Sequence, residues 1–155
     1  MGLFDAMDIA ATGMTAERYK MDIIANNIAN VNTTSTVSGE PYKRQVALIG
    51  PKWDGEGAVP VADFGDELKS QLGGVEVQGV IEDSAPLKPV YDPNHPNAMK
   101  DGPYKGYVMM PNVDIITEMT SMIQASRAFE ANATAIESAK QMANKSLEIG
   151  RGGAG

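Results

Sequence analysis

His95 is the single histidine of this 155-residue chain, and there is no cysteine. It is therefore the one side chain suited to acid–base work or metal ligation near neutral pH. It stands between Pro93 and Pro96 in the run Asp92-Pro93-Asn94-His95-Pro96-Asn97, whose residue types favour turns. Serine, histidine and acid triads would have only this base to use, and no second ligand at metal-site spacing accompanies it. Glu82-Asp83 could offer a carboxylate pair for hydrolysis, but adjacent acids at a strand end are ordinarily solvated. Gly73-Gly74 and Gly152-Gly153 lack the strand-turn-helix setting and the lysine of a phosphate-binding loop. The reactive side chains thus point away from an enzyme, and toward no cofactor and no bound metal.

The elements that carry these residues look built for packing. From Ile115 the apolar positions step by four and three through Met119, Met122, Ser126, Phe129, Ala133, Ile136, Lys140, Ala143 and Leu147. That is the period of an amphipathic helix in a coiled coil. The spacing predicts a helix over residues 112–149, with Asn112 as N-cap, Asp114 at the positive end of the dipole and Gly150-Arg151 as the stop. Its length of about 50 Å at ~1.5 Å per residue exceeds what a domain this small can wrap, so it needs a partner. Residues 3–31 repeat the pattern through Leu3, Met7, Ala10, Met14, Glu17, Met21, Ile24, Ile28 and Val31. The Asn- and Thr-rich run from Asn26 and Asn27 through Asn30 and Asn32 to Thr34 reads as the last turns and exit of this first helix. Its amides serve either capping or hydrogen bonds between subunits. Met7, Met14, Met21, Met119 and Met122 fit adaptable packing, either ordinary or against several slightly different neighbours.

Between the helices the pattern changes. Residues 42–49 read as a strand, and 75–82 more clearly so, with Val75, Val77 and Ile81 alternating with Glu76, Gln78 and Glu82. Residues 87–91 and 107–110 add two shorter strands, separated by turn chemistry. Residues 51–73, rich in Gly and Asp and holding Trp53 and Phe64, read as a long surface excursion with a short helical turn at 66–72. The fold class is therefore α+β: two long terminal helices packed antiparallel as a coiled-coil-like pair, with a small β-rich module inserted between them. The divisions fall at 1–34, 35–111 and 112–150.

Composition bounds the partners. Aromatic residues make up only 6% of the chain, so the core is thin, and the net charge of −7 without a basic cluster disfavours nucleic acid. The N-terminus, MGLFDAMD, carries acids where a signal peptide has bases, and Ala6 stands where a myristoylation motif has Ser or Thr. No stretch approaches the ~20 apolar residues of a membrane span, so direct membrane insertion is not expected. A compact module returns the chain near its entry point, which sets the helices side by side. Burying Ile115, Met119, Met122, Phe129, Ile136 and Leu147 would gain about 9–18 kcal/mol, against roughly 1–2 kcal/mol of backbone entropy per ordered residue. Each helix also keeps a second apolar flank: Phe4, Ala11 and Ala25 on one, Ile116, Ile123 and Met142 on the other. The helices are thus expected to gain order by assembling with neighbours.

The residues also carry a family resemblance. Ala25-Asn26-Asn27-Ile28-Ala29-Asn30-Val31-Asn32-Thr33-Thr34 resembles the N-terminal signature of the bacterial flagellar axial proteins of rod and hook. Pro111-Asn112-Val113-Asp114, Glu118-Met119 and Ala125-Ser126-Arg127-Ala128-Phe129-Glu130-Ala131-Asn132 resemble their C-terminal signature. Residues 79–83, 90–96 and 106–108 are similar to the proximal-rod type. So is the insertion of residues 35–41 before Tyr42-Lys43-Arg44, where hook-type proteins continue at once. The likeness spans most of the chain except 51–73.

The resemblance implies a structural subunit of the proximal rod of the basal body, serving motility. Its terminal helices would pack into a tube that transmits motor torque and surrounds the export channel. The assembly interface expected on this basis comprises Leu3, Met7, Met14, Met21, Ile24, Asn26, Asn27, Ile28, Asn30, Val31 and Asn32. At the other end it takes in Val113, Ile115, Met119, Met122, Phe129, Asn132, Ile136 and Leu147. The implied partners are copies of itself, other rod proteins, the export-gate and basal-body base, and the flagellar type III export apparatus. That route leads outside the inner membrane, to the periplasm, without a cleaved signal peptide. A soluble secreted coiled-coil module that binds a host or envelope protein is the alternative reading.

Overall fold

A computed structural model describes residues 3–52 and 73–152. Helix α1 spans Leu3–Ala29, strand β1 Gln45–Pro51, β2 Val75–Glu82, β3 Lys88–Tyr91, β4 Tyr107–Met110, and helix α2 Ile115–Gly152. This is the α+β arrangement expected: two long helices bracketing a small β module. The strands form two separate two-stranded sheets, β1 with β2 and β3 with β4. In the second, antiparallel pairing sets Lys88 opposite Met110 and Tyr91 opposite Tyr107. The helical turn expected at 66–72, Trp53 and Phe64 lie outside the described residues.

The chain divides into two compact units, and each helix contributes to both. One comprises Met1–Tyr19, Ile49–Gln78 and Ala125–Gly155. Among the described residues its buried apolar side chains are alanines: Ala10, Ala16, Ala125 and Ala139. Here α1 meets α2 at short range, because a Cβ on Gly13 would lie 2.8 Å from Nδ2 of Asn132. The missing side chain at 13 makes room for the amide at 132, a close approach that only glycine allows. The Thr12 hydroxyl donates to the Ile9 carbonyl at 2.7 Å and accepts the Val75 amide at 3.1 Å, which ties the start of β2 to α1.

The other unit comprises Lys20–Leu48 and Gly79–Gln124. Ile23, Ile24, Val108 and Val113 form its small apolar core. Asn27 and Glu118 are buried within it and bond to each other.

Three details differ from the sequence reading, each for a physical reason. Helix α2 starts at Ile115, and its cap is Asp114, not Asn112. One Asp114 carboxylate oxygen accepts the amides of Ile116 (2.9 Å) and Thr117 (3.4 Å). Asn112 is instead drawn to the β module, accepting from the Arg44 amide at 2.7 Å and donating to the Ala85 carbonyl at 3.1 Å. At its other end α2 runs through Gly150 to Gly152. A glycine costs a helix only about 1 kcal/mol, too little to end it where no competing contact is made.

The third difference is the seam. On α2 the line Glu118, Met122, Ala125, Phe129, Asn132, Ile136, Ala139 and Ala143 is buried or half-buried, and Ser126 and Ala133 of the predicted stripe are half-buried beside it. It shares Met122, Phe129, Ile136 and Ala143 with the predicted stripe. Its other positions come one residue earlier in each heptad, so Ile115, Met119, Lys140 and Leu147 lie on the outside. Sequence reasoning sets a lone Glu outward because burying an unpaired carboxylate is costly. A distant arginine reverses that outcome. On α1 the predicted line from Met7 to Val31 is buried or half-buried throughout, joined by Ile9, Gly13, Ala16, Ile23 and Asn27.

Candidate functional site

The densest polar arrangement is a knot at the root of the helices, inside the unit formed by Lys20–Leu48 and Gly79–Gln124. Glu118, on the first turn of α2, is fully buried. One of its oxygens accepts Arg44 Nε at 2.7 Å and the other accepts Asn27 Nδ2 at 3.0 Å. The Asn27 amide is used on both sides: Nδ2 also donates to the Gln45 carbonyl at 2.8 Å. Its Oδ1 accepts the Gln45 amide and the Tyr42 hydroxyl, each at 2.9 Å. Arg44 reaches Asp83 through Nη1 at 3.3 Å, and the Asp83 amide donates to the Arg44 carbonyl at 2.8 Å. A carboxylate buried like that of Glu118 is tolerable because both of its oxygens accept a hydrogen bond, one of them from a guanidinium that also reaches Asp83.

The electrostatics follow from that packing. Burial lifts the Tyr42 hydroxyl above its ordinary range, and the Glu118 and Glu82 charges add to the effect. Burial opposes the charge on Arg44, but its bonds to Glu118 and Asp83 outweigh this and raise its pKa. The Asp83 carboxyl is held low by the Ala85 amide and then by Arg44. Nothing here resembles a reaction centre, since each charge is consumed in joining α1, β1, the β2 exit and α2.

The expected interface residues fall into three groups. Ile24, Asn27 and Val113 are buried within the chain itself. Met7, Met14, Met21, Ile28, Met122, Phe129, Asn132 and Ile136 are half-buried along the helices, and Asn30 and Val31 are half-buried in the turn after α1. Asn26, Asn32, Ile115, Met119 and Leu147 are exposed, and Leu3 belongs to α1 with its side chain outside the described set. Asn30 closes α1, its Nδ2 donating to the Asn26 carbonyl at 2.9 Å while its Oδ1 accepts the Thr33 hydroxyl at 3.1 Å. Outside the seam, Ile116 (77% exposed), Met119 (54%) and Ile123 (54%) share one face of α2 by their three-and-four spacing. Phe4, Ala11 and Ala25 are likewise exposed on α1. Sequence reasoning missed the Arg44–Glu118 pair. Its signal was the second heptad line Glu118, Ala125, Asn132, Ala139, whose small and polar residues suit a close helix pair.

The remaining candidates are quickly placed. Asp83 is tied to Arg44, and Glu82 lies 3.8 Å from Lys43. His95 accepts the Asn97 amide on Nδ1 at 3.1 Å, as a turn residue does. Among the described residues no cluster of His, Cys, Asp or Glu is arranged to hold a metal, and no helix is long and apolar enough to cross a membrane.

Comparison with known proteins gives this geometry its setting. Residues 7–35 match the model of the flagella basal body rod protein family. Residues 104–149 match the C-terminal model of the flagellar basal body rod FlgEFG proteins. Both matches fall on the helical ends. The chain is 45% identical over 158 aligned positions to the flagellar basal-body rod protein FlgC of Borreliella burgdorferi, covering 98% of this chain and all of the relative. It is 36% identical to the FlgC of Bacillus subtilis and 35% identical to that of Escherichia coli O157:H7, each over 97% of this chain and the whole relative. The chain therefore belongs to the FlgC family of flagellar basal-body rod proteins. The reading as a soluble binding module finds no support among these relatives.

Proposed function

We propose that this structural rod subunit is held in the basal body by its two terminal helices, with residues 1–34 and 112–150 as polymerisation segments and 35–111 as the module between them. The observation that carries this reading is the second apolar face of the helices. The antiparallel seam is filled by Glu118, Ala125, Asn132 and Ala139 with their alternating partners, yet Ile116, Met119 and Ile123 remain outside it. Covering such side chains is worth ~1.5–3 kcal/mol apiece, enough for a repeating contact to matter in a polymer. Neighbouring copies and other rod proteins supply the cover, above the export gate and basal-body base. The resulting tube carries motor torque and encloses the export channel. The subunit reaches that place through the flagellar type III export apparatus, outside the inner membrane and without cleavage.

The test is complementation of a deletion strain. Ile116→Glu leaves the seam and the polar knot untouched, so the variant should be exported and fold but fail to enter basal bodies, leaving cells non-motile. Normal incorporation and swimming would remove the outer face from the interface.

A further inference from the structure

The β3–β4 side of the molecule holds a cleft of about 590 Å³ that the rod reading does not use. That volume is in the range of sites that take a small molecule or a stretch of peptide. Its apolar wall includes Tyr91 and Met99, and its polar groups are His95, Lys100 and Lys105. Tyr91 stands 64% exposed with its ring edge-to-face on Tyr107, centroids 5.1 Å apart. Its place is built in: Gly106 has φ of +79°, and a Cβ there would lie 3.0 Å from the Tyr91 ring. The ring thus occupies space that only a glycine at 106 leaves open.

The two ammonium groups and the free imidazole N–H of the cleft are donors. His95 uses Nδ1 to accept the Asn97 amide, which leaves the Nε2 proton to donate. Among the described residues neither Lys100 nor Lys105 is engaged in an ion pair. Among the described residues no carboxylate lines the cleft; of the acids adjacent to its lining in sequence, Asp92 accepts the Asn94 amide at 3.2 Å and Asp101 follows Lys100. Two free ammonium groups and an exposed tyrosine on a chain of net charge −7 select an anionic segment that also carries apolar side chains.

The chain contains such a segment. Residues 53–72 hold five acids (Asp54, Glu56, Asp63, Asp66, Glu67) against the single Lys69, with Trp53 and Phe64 among them. We propose that the β3–β4 cleft receives residues 53–72 of a second copy of this chain. Lys100 and Lys105 meet its carboxylates, and Tyr91 and Met99 meet its aromatic side chains. The cleft itself lies off α1 and α2, so its binding can be tested in solution apart from the polymerisation segments.

A synthetic, fluorescein-labelled peptide of residues 53–72 is titrated with the full chain and followed by fluorescence anisotropy. The expected result is saturable binding that weakens with added salt. Lys100→Glu with Lys105→Glu should lower affinity about tenfold, the sum of two exposed charge contacts. Helical circular dichroism confirms that the variant is folded. A peptide with Asp63, Asp66 and Glu67 changed to Lys should recover binding to that variant, which no folding defect could produce. Absence of saturable binding, equal affinity for wild type and variant, or equal binding of a scrambled peptide of the same composition would each overturn the assignment.

Discussion

Replacing Glu118 by Gln tests the polar knot with the smallest change of shape. The carboxylate accepts Arg44 Nε at 2.7 Å and Asn27 Nδ2 at 3.0 Å from a position with no solvent exposure. Gln can keep one carbonyl oxygen toward Arg44, but without the charge that strengthens that bond. Its amide then faces the Asn27 amide, donor against donor. Hydrogen bonds to charged groups contribute ~1.5–3 kcal/mol each, and breaking a fully buried pair costs ~3–5 kcal/mol. The Arg44 side chain is 24% exposed and keeps Asp83 at 3.3 Å, which moderates the loss. We expect Glu118→Gln to destabilise the chain by about 2–3 kcal/mol. In urea this lowers the unfolding midpoint by about 1–2 M at an unchanged slope. Met119→Gln, one residue along and mostly exposed, should stay within about 0.5 kcal/mol of wild type. If the two variants cost the same, or Met119→Gln costs more, the seam runs where the apolar stripe of the sequence would put it and the knot is not structural.

Other consequences can be measured on the isolated chain. Gly13→Val should cost about 1–3 kcal/mol, because its side chain enters the space held by Asn132. Asn132→Ala should recover much of that loss in thermal melts, whereas simple additivity of the two changes would separate the positions. The Asp83 carboxyl is held low when folded and lies near 3.9 when unfolded, so its contribution is complete above about pH 4 and lost as pH falls through the folded value. Tyr42 behaves in the opposite sense: its raised pKa makes its contribution complete below about pH 10 and lost as pH climbs through the folded value. Urea midpoints across pH should therefore lose their acid limb in part in Asp83→Asn and their alkaline limb in Tyr42→Phe. Unchanged profiles would contradict the assignments.

Much of this architecture is legible in the residues because periodicity reports which faces must leave water. The two long helices and the strand at Val75–Glu82 appear as a change of period from four-and-three to two, and the short β3 and β4 segments as runs bounded by turn chemistry. What periodicity cannot report is a polar residue made buriable by a partner far along the chain. Glu118 looks like an outward charge on a first turn until Arg44, 74 positions earlier, is placed beside it. Asn27 reads as a helix-terminal amide, yet the Gln45 backbone on β1 takes both of its ends. Asn112 is a sound N-cap by type, and lost that place to Asp114 because β-module backbone groups competed for it. The outer face was visible in outline, since Phe4, Ile116 and Ile123 lie off the stripe. Met119 moved to that face only once the seam had shifted by one residue.

The most direct measurement of the central claim is a side-chain-resolution cryo-electron microscopy map of intact basal bodies containing this subunit. The account predicts Ile116, Met119 and Ile123 covered by helices of neighbouring subunits, with the Arg44–Glu118–Asn27 knot preserved inside each copy. A map in which that face meets open solvent while the rod is held together elsewhere would contradict it.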